Sequence, residues 1–278
     1  MLQIRKSKEL RAQIRRWRQD GETIAFVPTM GNLHDGHLSL ARIAREQADR
    51  LVSSIFVNPM QFGPNEDFDS YPRTVEDDCK ALMEEHCDLV YLPEVNDLYP
   101  QDLAHMTRVE VPDITSRLEG QFRPGHMTGV STIVLKLFNL VQPDMAIFGK
   151  KDYQQWRLIE KMVHDLNLPI DIIGGETRRE PDGLAMSSRN QYLSAEERSR
   201  SLALYRQLTA VSEIIGNNGD VKAALRSAVE QLASVGFEVD YFELCHRQTL
   251  EPARPGDPLV LLAAARMGRT RLIDNLEV

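Results

Sequence analysis

The sequence predicts an α/β protein: a doubly wound, Rossmann-like parallel sheet with a smaller α+β domain at the C-terminal end. The first observation is an alternation of short apolar runs, typical of buried strands, with segments of helical periodicity. Parallel strands need helical crossovers of this kind, which cover both faces of the sheet. The second observation is that the alternation of strands and helices ends near residue 176, after which two predicted helices are followed by three predicted strands. We therefore expect domains at residues 1–176 and 177–278.

Each element has a local signal. Residues 1–21 carry apolar side chains at helical spacing without the apolar core of a signal peptide, which predicts an opening amphipathic helix and not a targeting segment. In the N-terminal part, strands are predicted at residues 23–30, 51–57, 88–92, 144–148 and 170–174, and helices at residues 38–50, 74–86, 128–141 and 152–167. Thr74 and the motif SAEE are the expected helix caps. The C-terminal helices are predicted at residues 194–215 and 221–235, and the strands at residues 239–244, 259–265 and 271–276.

Composition excludes several classes of protein. The 278 residues are 42% hydrophobic and 27% charged, as in a globular protein with a real core. No apolar run approaches the ~20 residues of a membrane span. The net charge of −8 disfavours a nucleic-acid partner, which needs a basic face. Three cysteines without a C-x-x-C motif favour a reducing compartment, so we expect a soluble, cytoplasmic protein.

The strongest chemical signal is the segment PTMGNLHDGHL after the first long predicted strand. His34 and His37 lie three residues apart at the expected start of a helix, where backbone N–H groups and the helix dipole attract phosphate. Gly36 lets the backbone approach a ligand. Imidazole donors here could stabilise the charge that develops when a carboxylate attacks the α-phosphorus of ATP. A metal pair or two surface histidines are the alternatives, although no nearby Cys or carboxylate completes a zinc site.

A second candidate is the segment DGLAMSSRN near the expected domain boundary. Ser187 and Ser188 can donate to phosphate oxygens, and Arg189 can bind the β and γ phosphates bidentately. A loop at this place could close over ATP as a lid. Taken alone, such a tetrapeptide is more often a solvated loop, so its interpretation depends on the histidine segment.

Together the two motifs resemble the HIGH and KMSKS signatures of the nucleotidylyl-transferase superfamily. Five blocks narrow the resemblance to the pantothenate synthetase (pantoate–β-alanine ligase) family: PTMGNLHDGHLSL, SIFVNPMQFGPNEDFDSYPRT, EGQFRPGHMTGV, FGKKDYQQ and DGLAMSSRNQYLS. The resemblance implies a cytoplasmic, usually homodimeric ligase that takes pantoate, β-alanine and ATP with Mg²⁺. The reaction would pass through a pantoyl-adenylate, releasing pyrophosphate and then AMP. Neither nucleic acid nor a membrane is an implied partner.

The family's functional positions carry over by motif. His37 matches the catalytic histidine, and His34 and Lys151 join it as catalytic candidates. Gln61 and Gln155 match two glutamines that bind pantoate, and Gln61 also matches the place where β-alanine enters. The implied ATP-binding positions are Met30, Gly31, Asn32, Leu33, His34, Asp35, Gly36, His37, Gly149, Lys150, Lys151, Asp152, Arg178, Met186, Ser187, Ser188 and Arg189.

Some positions allow two interpretations. Arg123 and His126 could line the entrance of the second substrate or hold their own loop in shape. Asp77 and Asp78 resemble magnesium-side carboxylates of the family, but an acidic first helical turn is an equal alternative. The metal ligands therefore stay unknown at this stage, and Mg²⁺ bound to phosphates needs few protein ligands.

Two departures and three rivals remain. The family commonly has an aromatic residue where this chain has Met127, and Val where it has Arg178.

A dinucleotide-forming transferase would share the histidine loop, but its acceptor pocket should be rich in arginine. A tRNA ligase would need more chain for an anticodon domain. A non-catalytic ATP sensor on the same fold would not need the histidines, both glutamines and the late loop together.

Overall fold

The computed structural model describes residues 1–64 and 66–278; position 65, inside one of the family-like blocks, lies outside the described residues. The chain separates into two compact units. The first consists of Met1–Lys150 and Gln155–Glu176, and the second of Lys151–Gln154 and Thr177–Val278.

The first unit is built on a six-stranded parallel sheet. Its strands are β1 (Leu2–Ile4), β2 (Ile24–Thr29), β3 (Arg50–Ile55), β4 (Leu89–Tyr91), β5 (Met145–Gly149) and β6 (Asp171–Gly175). The order in the sheet is β1-β4-β3-β2-β5-β6, so the chain runs outward from β2 to β4 and then returns to the other side of β2. This confirms the doubly wound prediction. In such sheets ligands bind beyond the carboxyl ends of the strands where the order reverses, here β2 and β5.

Seven helices are described along the same part of the chain. They are α1 (Ser7–Gln19), α2 (Asp35–Gln47), α3 (Val75–Glu84), α4 (Val95–Leu98), α5 (Glu119–Phe122), α6 (His126–Val141) and α7 (Tyr153–Asp165). Helix α2 lies so close to the sheet that β6 needs a glycine beneath it. A Cβ at Gly175 would lie only 2.3 Å from Cδ2 of Leu40 on α2. Both Leu40 and its neighbour Ala41 are buried.

The second unit carries an antiparallel sheet of β7 (Phe237–His246), β8 (Leu259–Met267) and β9 (Thr270–Glu277), in that order. Helices α8 (Ala195–Ser201), α9 (Ala203–Gly216) and α10 (Val221–Ser234) precede it, and the apolar faces of α9 and α10 pack into the unit's core with the sheet. The smaller α+β part of the predicted fold class is thus confirmed. No helix in the described part of the chain is long and apolar enough to cross a membrane.

Two sequence predictions were wrong in detail. Residues 2–4 form the edge strand β1, parallel to β4, and the opening helix begins only at Ser7. A three-residue strand depends on a partner far along the chain, which local periodicity does not reveal. The long helix predicted from position 194 is interrupted at Leu202, where α8 gives way to α9. The hydroxyl of Ser201 donates to the carbonyl of Glu197 at 2.7 Å, a bond that often bends a helix.

Candidate active site

The loop after β2 has a shape that two left-handed residues create. Gly31 has φ +85° and Asn32 has φ 51°. A Cβ at Gly31 would lie 2.9 Å from Oδ2 of Asp78, so the close approach of that carboxylate requires glycine. Oγ1 of Thr29, the last residue of β2, accepts from the Gly31 N–H at 3.2 Å and donates to the Ser54 carbonyl at 2.8 Å. The carboxyl end of β2 therefore leads into a fixed turn.

Asp78 holds this loop from helix α3. Its Oδ2 accepts from the N–H of Asn32 at 2.9 Å, and its Oδ1 accepts from the N–H of Leu33 at 2.8 Å. The side chain of Thr74 also donates to Oδ1, at 3.2 Å, and makes no backbone bond as the expected helix cap. Asp78 is 3% exposed, and its buried charge is compensated by these three donors. Its position is therefore explained by support of the loop.

Neither Asp77 nor Asp78 belongs to a described group of side chains that could hold a metal ion. The side chain of Asp77 is 79% exposed and its Oδ1 lies 3.2 Å from Nζ of Lys80. Within residues 1–64 and 66–278, no three His, Cys, Asp or Glu side chains are grouped so that they could hold a metal ion.

His34 and His37 lie together at the start of α2. His34 is the N-cap, His37 is the third helical residue, and their ring centroids are 4.1 Å apart. The backbone N–H of His34 donates to Nδ1 of His37 at 3.4 Å. Since an amide N–H can only donate, Nδ1 is the acceptor, and the neutral imidazole of His37 carries its proton on Nε2. That proton is a donor of the kind needed to stabilise a charged phosphoryl group.

The first turn of α2 supplies further donors. The N–H groups of Asp35 and Gly36 belong to this turn, which has no helical carbonyl one turn earlier to accept from them. The side chain of Asp35 forms an ion pair with Arg42, whose Nη2 donates to Oδ1 of Asp35 at 2.8 Å. Arg42 also binds Glu85, from Nη2 to Oε1 at 2.6 Å. Asp35 can therefore serve an anion through its backbone while Arg42 balances its carboxylate.

Gln61 ends a short 3-10 helix, Pro59–Gln61, and is buried. Its Oε1 accepts from Nδ2 of Asn58 at 3.1 Å, and its Nε2 lies 2.9 Å from Sδ of Met30, the first loop residue after β2. A carboxamide has two N–H donors and two acceptor lone pairs. These two contacts use one of each, so Gln61 retains one donor and one acceptor for a ligand hydroxyl.

Asn58 clamps the Gln61 segment against helix α6. Besides Gln61, its Nδ2 donates to the carbonyl of Gly129 at 3.1 Å, and its Oδ1 accepts from the hydroxyl of Tyr99 at 2.8 Å. A Cβ at Gly129 would lie 2.3 Å from the carbonyl oxygen of Met60, so α6 can approach this closely only at a glycine. Sequence reasoning missed Asn58 and Tyr99. The only signal was the Asn-Pro pair at the end of a buried strand.

Arg123 and His126 hold the Gln61 loop in shape. Nδ1 of His126 donates to the Gln61 carbonyl at 2.7 Å, and its Nε2 accepts from Nη1 of Arg123 at 2.9 Å. Arg123 also binds Glu66 through two bonds of 2.8 and 2.5 Å, and lies 3.5 Å from the buried Glu119. Of the two interpretations open at these positions, the structure displays the loop-supporting one.

The same network sets the protonation of its members. Burial and the adjacent Arg123 charge lower the pKa of His126 to about 4, although the Gln61 carbonyl, Glu119 and Glu66 oppose this. Burial disfavours the charged form of Glu66, but its bond to Arg123 and the Arg123 charge outweigh this and lower its pKa. His126 is therefore neutral, with its proton on Nδ1, and Glu66 is ionised at neutral pH.

Acidification should destabilise this protein between pH 6.5 and about pH 4. In the unfolded chain His126 binds a proton near its ordinary pKa of 6.5, whereas the folded protein resists protonation down to about 4. The unfolded state therefore binds more protons in this window, and the free energy of unfolding falls with falling pH, by at most about 1.4 kcal/mol per pH unit. Urea unfolding across the window should show this slope. In His126→Asn, which keeps a donor for the Gln61 carbonyl, the slope should be reduced; equal slopes would contradict the assignment.

The turn after β5 and the start of α7 carry further predicted positions, of which Lys150 and Gln155 belong to the first unit and Lys151 and Asp152 to the second. Nζ of Lys150 donates to Oε1 of Glu176 at 2.5 Å and lies 5.5 Å from the ring centroid of Trp156. Gln155 is half-buried in the first turn of α7. The Lys150 ammonium is therefore engaged by Glu176. Nζ of Lys151 lies 3.9 Å from Oδ1 of Asp152, beyond hydrogen-bond distance.

In the second unit, residues 178–186 form a tight hairpin. The Met186 N–H donates to the Arg178 carbonyl at 2.9 Å, and the Leu184 carbonyl accepts from the Glu180 N–H at 2.8 Å. Gly183 makes the turn with φ +99°. The side chain of Arg178 is exposed, so the departure from the family's Val leaves the hairpin's backbone pairing intact.

Ser187 begins a short 3-10 helix, Ser188–Tyr192, directly after the hairpin. Its Oγ accepts from the N–H of Arg189 at 3.3 Å, so its hydroxyl proton is directed elsewhere and can donate to an anion. Nδ2 of Asn190 donates to the Ala185 carbonyl at 3.0 Å and ties the 3-10 helix to the hairpin. The segment is therefore an ordered part of the second unit.

The predicted positions divide between the two units. The first unit places the β2 loop, Gln61, Gly149, Lys150 and Gln155, and it brings Met30 to Gln61 and His34 to His37. The second unit holds Lys151, Asp152, Arg178, Met186, Ser187, Ser188 and Arg189.

Comparisons with known proteins agree with one another. The family profile described as pantoate-beta-alanine ligase matches residues 2–277. A pantothenate synthetase of Idiomarina loihiensis is 54% identical over 268 residues, which cover 96% of this chain and 95% of the relative. A pantothenate synthetase of Alkalilimnicola ehrlichii is 51% identical over 280 residues, covering 100% of this chain and 98% of the relative.

Solved structures extend the similarity to the fold. The crystal structure of pantothenate synthetase from Thermus thermophilus matches with a TM-score of 0.93 at 46% identity, covering 100% of this chain and 99% of the other. A pantoate-beta-alanine ligase from Francisella tularensis, complexed with beta-gamma ATP and beta-alanine, matches with a TM-score of 0.83 at 33% identity, covering 100% and 97% of the two chains.

Proposed function

Because the chain belongs to the pantoate-beta-alanine ligase family, we propose that it condenses pantoate with β-alanine at the expense of ATP, through a pantoyl-adenylate intermediate. In the first step a carboxylate oxygen of pantoate attacks the α-phosphorus and pyrophosphate leaves. In the second step the β-alanine amine attacks the acyl carbon, AMP leaves with the bonding pair, and the amine loses a proton. The observation that carries the proposal is the pair of adjacent imidazoles at the start of α2.

We assign the β2 loop and the first turn of α2 to ATP. The N–H groups of Asp35 and Gly36 and the dipole of α2 offer partial positive charge to phosphate oxygens. Nε2 of His37 donates to the phosphoryl oxygens as they gain charge, with His34 beside it. Asp78 keeps the loop ready for this task before ATP arrives. The Francisella relative, complexed with beta-gamma ATP, supports ATP as a ligand of this fold.

We assign the two glutamines to pantoate. Pantoate has hydroxyl groups that both donate and accept, and a carboxamide can answer both without adding charge. Gln61 is held by Asn58 and Met30 with one donor and one acceptor remaining, while His126 fixes its carbonyl. Gln155 is the second pantoate residue, and Gln61 also meets β-alanine as it enters. The Francisella complex supports β-alanine as the second substrate.

We assign Lys151, Ser187, Ser188 and Arg189 to the triphosphate, with Asp152, Met186 and Arg178 as further nucleotide contacts. The ammonium of Lys151 stabilises charge near the α-phosphorus, and Arg189 can bind the leaving pyrophosphate bidentately. Mg²⁺ accompanies ATP as part of the substrate, since phosphate oxygens and water can supply most of its ligands. This suits a protein whose described residues include no cluster of three metal-binding side chains.

The proposed setting is a cytoplasmic homodimer with small-molecule substrates. Residues 1–176 bind nucleotide and pantoate, and residues 177–278 act as the lid domain. The three cysteines are buried and form no disulfide, which suits a reducing compartment.

Pyrophosphate release is the decisive test of this function. With ATP, Mg²⁺ and pantoate but no β-alanine, we expect a burst close to one pyrophosphate per enzyme, followed by steady turnover once β-alanine is added. If pyrophosphate appears only after β-alanine is added, an adenylate that forms without β-alanine is excluded. Bound ATP without any pyrophosphate, with pantoate and β-alanine both present, would instead favour the ATP sensor.

A further inference from the structure

The last strand of the second unit buries polar side chains on both of its faces. Asp274 and Asn275 of β9 are only 4% and 7% exposed. Neighbouring side chains of a strand point to opposite faces of the sheet, so these two residues face different surroundings. A buried polar group costs free energy unless it is hydrogen-bonded, and an apolar pair would fill such places at lower cost. The partners of Asp274 and Asn275 therefore indicate what these positions do.

Asp274 anchors the 178–186 hairpin. Its two carboxylate oxygens accept from Nη1 and Nη2 of Arg179, at 2.7 and 2.9 Å. The guanidinium of Arg179 also lies 3.6 Å from the ring centroid of Tyr205 on α9, and its Nη1 donates to the Gly183 carbonyl at the hairpin turn. A bidentate ion pair that also stacks on an aromatic ring holds the hairpin in one orientation relative to β9. The segment that begins at Met186 therefore starts from a fixed hairpin.

Asn275 and Glu277, two residues apart and so on one face of β9, hold the segment that contains Lys151. Nδ2 of Asn275 donates to the Lys151 carbonyl at 2.9 Å. The hydroxyl of the buried Tyr153 donates to Oε1 of Glu277 at 2.8 Å. Both bonds lie within the second unit, to which Lys151–Gln154 belong.

We propose that Asn275 is a positioning residue for the ligase reaction, acting through Lys151. The bond from Asn275 to the Lys151 carbonyl fixes the backbone of Lys151. The long, flexible side chain of Lys151 must reach the α-phosphorus from this backbone, and a small misplacement of a catalytic group lowers the reaction rate strongly. The same strand fixes the hairpin before Ser187 through Asp274, so β9 sets the relative places of both triphosphate segments. This inference rests on the proposed role of Lys151 in adenylation.

The test is a double-mutant cycle between Asn275→Leu and Lys151→Ala, read as the single-turnover rate of pyrophosphate release with saturating ATP, Mg²⁺ and pantoate. Leucine is uncharged and close to asparagine in size, so it removes the bond to the Lys151 carbonyl without adding a charge near ATP. We expect Asn275→Leu to slow release about tenfold in the parent enzyme and less than about twofold when Lys151 is already alanine. Equal factors in both backgrounds would show that Asn275 does not act through Lys151.

The control lies on the same strand. Thr270→Val changes a buried β9 residue to an isosteric one, far from the Lys151 segment in the strand, and should leave the rate of pyrophosphate release unchanged. If Asn275→Leu fails to fold, Tyr153→Phe provides the second variant, since it removes the hydroxyl that donates to Glu277; it should slow release severalfold, again only when Lys151 is present. A normal rate in Tyr153→Phe and in a folded Asn275 variant would overturn the proposal.

The failures of the inference and of the proposed function are distinguishable. If Lys151→Ala alone leaves pyrophosphate release unchanged, the role assigned to Lys151 is wrong and the positioning role falls with it. If Lys151→Ala is slow and Asn275→Leu is equally harmful in both backgrounds, the function stands and only the inference is refuted. If the unmodified enzyme releases no pyrophosphate, the adenylate chemistry itself is refuted.

Discussion

Replacing His37 by alanine should slow adenylate formation by roughly 10²- to 10³-fold, the usual cost of losing one donor to a developing charge. The affinity for ATP should change far less. The physical reason is that Nε2 of His37 carries a proton fixed by the bond from the His34 N–H to Nδ1, and this donor gains strength as the phosphoryl oxygens gain charge. The measurements are the single-turnover rate of pyrophosphate release and the ATP dissociation constant by calorimetry.

Two further variants sharpen the His37 result. His37→Gln places a carboxamide N–H near the former Nε2 and should recover part of the lost rate. His164→Ala changes a histidine on α7 whose side chain is 89% exposed, and should have no effect. If His37→Ala weakens ATP binding by the same factor as it slows release, the imidazole binds ground state and transition state equally and is not a catalytic group.

The alternation of strands and helices was sufficient to predict the first unit, because each βα segment carries its own periodicity. Strand β1 escaped prediction because residues 2–4 pair with β4, far along the chain. The break at Leu202 escaped prediction for a different reason, since it lies inside an otherwise continuous helical pattern, next to the local bond from the Ser201 hydroxyl to the Glu197 carbonyl.

The candidate site shows the same division. The histidines and glutamines could be predicted as site residues because their motifs are contiguous, whereas the residues that hold them in the structure come from far along the chain. Asp78 lies more than 40 residues from the loop it holds, and Asn275 lies 124 residues from Lys151. The sequence left two interpretations open for Arg123 and His126, because the partners of the two ring nitrogens of His126 are brought together only by the fold. Residues that act through other residues leave no motif of their own.

Replacing Gln155 by alanine should raise the KM for pantoate by roughly 10- to 100-fold and leave the KM for ATP within about twofold. A site built to hydrogen-bond a substrate hydroxyl loses about 1–3 kcal/mol when the partner is removed, because the hydroxyl is then desolvated without compensation. Gln155 lies in the first turn of α7, and its uncharged carboxamide is assigned to pantoate and not to the nucleotide, so the KM for ATP should change little. Initial rates with each substrate varied in turn measure both constants.

The substrate itself can provide the matched control for Gln155. If the amide binds a pantoate hydroxyl, the pantoate analogue that lacks the terminal hydroxyl should already be a poor substrate, and Gln155→Ala should harm it little further. A similar loss with pantoate and with the analogue would assign Gln155 to another group, either the second hydroxyl or the carboxylate. An equal rise in the KM for ATP and for pantoate would remove Gln155 from the pantoate pocket. In that case Gln61, whose remaining donor and acceptor are fixed by Asn58 and Met30, would be the sole glutamine left to recognise the acid.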